Sequence, residues 1–253
     1  MNRRYLIIAL AGLASFAIGQ DEALPKADTI LDRYVEVTGG KAAYEKHTNE
    51  IAYGTLEFKA QGLKGSVTRY SAAPAQEYLV MEIEGVGKLE SGMDNGVVWE
   101  KNVMLGPRIK SGAERAQSLR EGTFNASILW RELYQKAETT GTETLDGELC
   151  YKVVLTPKEG NPQTMYFQKK SGLAVKITMV AVSQMGDLPF EVTSSDYKTF
   201  GGVSIPTKIT QKAGGQEFSI TINDVKTNQP IPADRFEPPA EIKALLSKAA
   251  EKK

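Results

Sequence analysis

The sequence predicts a mainly β protein, an antiparallel array of about eleven amphipathic strands with a few helices as covers. Three observations carry this. Apolar residues recur at every second position in short runs between residues 51 and 226, the runs are bounded by Gly, Pro and Asn-Gly turn signals, and helical spacing is confined to the two ends and one insertion.

Taken in order, the chain opens on Arg3 and Arg4, then an apolar run over 5–18, with Ala17 and Gly19 placed as the small residues before a cut. The run falls short of the roughly 20 residues that a membrane-spanning helix needs, so 1–19 is read as a signal peptide and the mature chain is expected to start at Gln20, exported and soluble. Ile30, Leu31, Tyr34 and Val35 place a helix over 27–38, entered after Pro25 and stopped by Gly39-Gly40, with a short second turn over 42–46. Strands follow at 51–59, 63–71, 77–84, 87–93 and 97–101, and Asp94-Asn95-Gly96 marks a tight hairpin. Residues 107–142 break the period, and Leu129, Trp130, Leu133 and Tyr134 predict a helix over 126–136. Strands resume at 150–156, 163–169, 173–183, 189–199, 203–211 and 216–226. A C-terminal helix over 239–253 starts at a Pro-Pro pair and carries Ile242, Leu245, Leu246 and Ala249 on one side. No linker or low-complexity tract divides the chain, so 20–253 is expected to be one domain.

Parity assigns a dry face. Met165 and Phe167, Val175, Ile177 and Met179, Phe190 and Val192, and Phe218, Ile220 and Ile222 step by two, while Lys152, Thr164, Lys176, Glu191 and Thr221 fill intervening positions. So long a sheet must close, sandwich or be covered, and the helices at 27–38 and 126–136 are the available covers.

Composition excludes several function classes. Lysines plus arginines number 31, as do aspartates plus glutamates, and the interspersed charge gives no electrostatic reason to bind nucleic acid. A single histidine, His47, and a single cysteine, Cys150, cannot build a zinc site of ordinary ligand type or an internal disulfide. Phosphate-binding glycine loops, a nucleophile elbow and an HExxH helix are all missing from the sequence. No catalytic, cofactor or metal site is therefore expected, and the reading is of a non-enzyme.

The strand text itself resembles a known family. Gly147-Glu-Leu-Cys-Tyr-Lys-Val-Val-Leu-Thr-Pro157, followed by Met165-Tyr-Phe-Gln-Lys-Lys-Ser-Gly-Leu173, is similar to the central hairpins of the outer-membrane lipoprotein-sorting, LolA-like periplasmic superfamily. Asp94-Asn-Gly-Val-Val-Trp99, Asp196-Tyr-Lys-Thr-Phe-Gly-Gly-Val-Ser-Ile-Pro206 and Ile231-Pro-Ala-Asp-Arg-Phe-Glu-Pro238 fit its earlier and later segments in the same order. The resemblance implies an incomplete antiparallel β-barrel of about eleven strands, lidded by helices, around an apolar cavity for lipid. It also implies a periplasmic location and a role in lipid binding or lipoprotein sorting. The implied partners are lipid or lipoprotein acyl chains and inner- and outer-membrane envelope components. The addition at 239–253 and the lack of a match to the carrier's functional arginine depart from that pattern.

Combining parity with this resemblance, Met165, Phe167, Val175, Ile177, Met179 and Phe190 are expected to line the cavity. Phe218 and Ile220 complete the wall, and Trp99, Trp130 and Leu133 are expected in the wall or lid. The alternative is an envelope regulatory or structural protein with the cavity filled by side chains and a surface that binds another protein. A membrane-spanning barrel is a third reading, disfavoured by the odd strand number and the terminal helix.

Overall fold

The computed structural model describes residues 23–103, 105–183 and 186–251. The predicted signal peptide 1–19 and the expected start at Gln20 lie outside the described residues, as do the last two residues of the predicted C-terminal helix.

Helix α1 (Ala27–Val37) buries Ala27, Ile30, Leu31 and Val35, the stripe that its sequence spacing creates, and ends where Gly39 and Gly40 take positive φ. A one-and-a-half-turn α2 (Lys41–Lys46) follows. Six strands then form a meander: β1 (Asn49–Phe58), β2 (Leu63–Ala72), β3 (Gln76–Ile83), β4 (Gly87–Asp94), β5 (Val97–Asn102) and β6 (Gly106–Ile109). At the β4–β5 turn Asn95 and Gly96 have φ of 47° and 75°, the left-handed pair that a two-residue hairpin requires. After an insertion, seven more strands form a second meander: β7 (Tyr134–Leu145), β8 (Glu148–Pro157), β9 (Gln163–Gln168), β10 (Ala174–Ala181), β11 (Leu188–Phe200), β12 (Val203–Ala213) and β13 (Gln216–Thr227).

All are antiparallel members of one 13-stranded sheet in the order β6-β5-β4-β3-β2-β1-β13-β12-β11-β10-β9-β8-β7. Both free edges, β6 and β7, therefore flank the insertion. The sheet is an open, curved relative of a barrel, mainly β as expected, with two more strands than the eleven read from periodicity.

The insertion corrects the sequence reading. The helix predicted over 126–136 is instead a 3-10 turn (Ala126–Ile128) and one turn of helix, α4 (Trp130–Leu133), after which Tyr134 is already extended. The Thr-rich run that follows pairs with β8, so tertiary pairing of β-branched residues outweighs the helical spacing of four apolar side chains. The main helix of the insertion is α3 (Gly112–Glu121), which has no apolar stripe. It is built from good helix formers, with Glu114 in the first turn and Arg120 in the last complementing the helix dipole. At the C-terminus, a 3-10 turn (Ala233–Phe236) and α5 (Ala240–Ala250) close the chain, burying Phe236 and Ile242. No helix among the described residues is long and apolar enough to cross a membrane.

Candidate functional site

Directly opposed residues of an antiparallel pair share a face, so the registers identify one continuous surface. Val153, Met165, Ile177, Val192, Gln211 and Phe218 are successive partners from β8 to β13. A second row runs Ile209–Ile220–Leu56–Gly65–Ile83 from β12 to β3. Val67, Met81 and Leu89 extend the same face into β4. Helix α1 lies on this side: Ala27, Ile30 and Leu31 pack with Val153, Leu155 and Phe167, and Tyr34 meets Phe167 edge-on at 5.5 Å. The helices therefore cover one flank, over β7–β10. Across the middle, Met165, Ile177, Met179, Phe190, Val192, Ile209, Phe218, Ile220 and Ile222 are all half-buried, neither sealed nor free. The result is an open apolar trough.

The reverse face is polar over the same strands. Lys152 and Lys176 sit over the Tyr166 ring at 5.6 and 5.5 Å, and Lys176 and Lys152 pair with Glu191 at 2.7 Å and Glu143 at 3.2 Å.

Along its length the trough changes character. Toward the β1–β2 and β3–β4 turns it is lined by Phe58, Leu63, Met81, Ile83 and Leu89, and Phe58 stacks on Phe218 at 5.0 Å. Toward the other end, on the same face, Glu50, Arg69 and Glu77 form a chain, with Arg69–Glu77 at 2.8 Å and Arg69–Glu50 at 3.6 Å. Arg108 donates to Glu100 at 2.7 Å and to both carboxylate oxygens of Glu114 on α3. These two hydrogen bonds hold the Glu114 carboxyl below the ordinary carboxylate range. His47, 5% exposed, lies 3.5 Å from Glu50 and edge-on to Phe124.

Helix α3 crosses from this charged end to the far meander. Its one buried residue is Gln117, whose Nε2 donates to the Val180 carbonyl at 3.4 Å while its Oε1 accepts from the Val182 amide at 3.0 Å. Arg120 donates to the Glu159 carbonyl at 3.3 Å. The strap spanning the gap between the two sheet edges is thus held by hydrogen bonds rather than by an apolar stripe. On α4, Arg131 makes a two-pronged pair with Asp32 of α1, at 2.8 and 2.7 Å, and covers the Trp130 ring at 4.1 Å.

Of the residues named from sequence, Met165, Phe167, Ile177, Met179, Phe190, Phe218 and Ile220 share the trough face. Phe167, fully buried, is under α1 rather than open. Val175 does not follow the parity. The pairing slips between Ala174 and Lys176, and Val175 lines a hollow of about 370 Å³ on the polar face with Lys176, Thr193 and Lys208. Trp99 also leaves the trough. It opposes Gly92 on the reverse face, where an added Cβ at Gly92 would come within 2.5 Å of the indole. Lys101, two residues on and of the same parity, pairs with Glu241 of α5, so the C-terminal helix covers this side and Trp99 is fully buried. Trp130 packs beneath α1 and donates to Asp32 at 3.4 Å, and Leu133 ends α4 half-buried; both belong to the cover. The N-terminal half of the lining, Leu56, Phe58, Val67, Leu79, Met81, Ile83 and Leu89, was not among those predictions, although its step-of-two spacing marks it equally well.

No protein-family model matches the chain, and no curated protein matches it. Solved structures match over most of its length. A DUF1329 family protein from Desulfovibrio piger is 16% identical with a TM-score of 0.57, covering 83% of this chain and 97% of that one. A LolA superfamily protein from Nitrosomonas europaea is 13% identical at a TM-score of 0.55, covering 85% and 99%. A putative outer membrane lipoprotein-sorting protein domain from Vibrio parahaemolyticus is 14% identical at 0.52, covering 87% and 99%. At these identities the likeness is one of fold.

Proposed function

Since the chain has the LolA-like fold, we propose that it is an exported periplasmic carrier that holds the acyl chains of a lipid or lipoprotein in its apolar trough. The observation that carries this reading is the face of half-buried apolar side chains that runs from Met165 through Ile177 and Val192, past the single polar Gln211, to Phe218 and Ile220, and ends on the buried Leu56. A monomer core would be expected to bury such a row fully. A protein that only displayed it would carry a large exposed apolar patch.

The magnitudes suit a carrier. An acyl chain of about 16 carbons contributes roughly 12 kcal/mol gross at about 0.8 kcal/mol per buried methylene. Ordering the chain and moving α3 take back much of that, so net affinity is set by the cover. The role is binding alone, with no catalytic step.

The test uses neighbouring residues on opposite faces. Ile220→Asp places a carboxylate in the trough, where it must be desolvated or protonated, and is expected to abolish displacement of an apolar fluorescent probe by long-chain lipid. Thr221→Asp, one residue away on the exposed polar face near Lys208, should leave binding unchanged. Folded wild type that binds neither probe nor lipid would defeat the proposal and favour an envelope protein that binds another protein.

A further inference from the structure

We propose that Val86, Val103 and Leu105, at the β3–β4 and β5–β6 turns, form a membrane-docking tip, which seats the apolar end of the trough on the surface of a phospholipid bilayer. This rests on the carrier reading above but is tested separately from it. Among the described residues, six large apolar side chains are exposed, and three of them stand together here: Val86 at 42%, Val103 at 59% and Leu105 at 55%. The two turns are neighbours. β4 pairs with both β3 and β5, and an added Cβ at Gly87 would lie 2.9 Å from the Val103 side chain. Single exposed apolar residues are ordinary, but a projecting cluster of three on adjacent turns is not.

Position selects the occupant. Val86 is three residues beyond Ile83 and three before Leu89, and both of those line the apolar end of the trough. Gly87 opposes Ile83 on the trough face, and a Cβ added there would meet the Val103 side chain, so the apolar surface of the tip adjoins this end of the trough and gives a lipid tail a short path into it. Nearby charges are of both signs with a slight acidic excess: Lys64 and Lys88 stand beside Glu82, Glu84 and Glu90, and Lys88 pairs with Glu90 at 3.2 Å. Attachment should rest on apolar insertion, with little dependence on anionic lipid or on salt.

The experiment is flotation of the protein, purified from the exported fraction with its N-terminus sequenced, with phosphatidylcholine vesicles. Wild type is expected to float. Leu105→Ser should lower the partition about fivefold, the size set by withdrawing roughly half a leucine side chain from an apolar phase, and Val103→Ser with Leu105→Ser should abolish it. Leu149→Ser removes a side chain of similar exposure, 42%, far from the tip and should change nothing. Probe binding in the trough should be intact in all of these variants, which separates failure of this proposal from failure of the carrier reading. The proposal is overturned if wild type does not float, if Leu149→Ser matches Leu105→Ser, if flotation collapses on raising salt, or if the tip variants instead dissolve a self-association of the chain.

Discussion

At the level of single residues, His47 shows how burial converts into pH dependence. Desolvation is the largest influence on it and lowers its pKa below 6.5, while the Glu50 carboxylate opposes this by less. The unfolded chain therefore takes up the proton first as pH falls. The stability that His47 contributes is fully present above about pH 6.5 and is lost as pH falls toward the lowered folded-state value. We expect the difference in melting temperature between wild type and His47→Gln to shrink from pH 7.5 to pH 5. A widening gap would mean that attraction to Glu50 outweighs desolvation. His47 was legible in the sequence only as a polar residue in a connection, because its burial comes from Phe124, 77 positions away. Parity, by contrast, read Met165, Ile177, Phe190 and Phe218 correctly, since a strand face is a local property. It failed at Val175, where one slipped pairing undoes the count, and Trp99, expected in the wall or lid, lies on the reverse face instead, since a large aromatic residue serves either side of a sheet equally well.

The elements differ in how far their sequences announce them. Helix α1 was legible because its partner is the sheet, which demands an apolar stripe. Helix α3 was not, because its attachments are Gln117 to β10, Arg115 to the Gly96 carbonyl and Glu114 to Arg108, and polar anchors have no periodicity. That same chemistry makes α3 a releasable cover, since each hydrogen bond is exchanged for one with water at a net of about 1 kcal/mol, or about 1.5–3 kcal/mol where Arg108, Glu114 or Arg115 takes part. Gln117→Ala should raise hydrogen exchange in 112–121 several-fold and accelerate probe entry, with only a small change in melting temperature. Unaltered exchange in α3 would show that the strap is held elsewhere. Arg131, anchoring α4 to Asp32, offers the contrasting case of a cover tied to a cover.

For the whole molecule, the sequence conveyed an antiparallel array of strands with one dry face and helices as its covers. The strand number and the place where the meanders join were not visible, because β6 has only four residues and β7 hides behind an apparent helix. The join also bears on how the chain folds. Every sheet neighbour is also a neighbour in sequence except one pair, β1 with β13. Hairpins can zip within each meander at little loop-closure cost, whereas bringing residues 49–58 to residues 216–227 must close a loop of roughly 160 residues, which slows the step that depends on it. Gly54 sits in that seam at a slip in the register, and a Cβ there would come within 2.5 Å of the Thr221 carbonyl oxygen. In stopped-flow refolding, Gly54→Val should therefore slow the arrival of native fluorescence while leaving the early gain of β signal in circular dichroism at the wild-type rate. The two arms of the sheet would then be made early and independently, and the trough would come into being only when the seam between them closes.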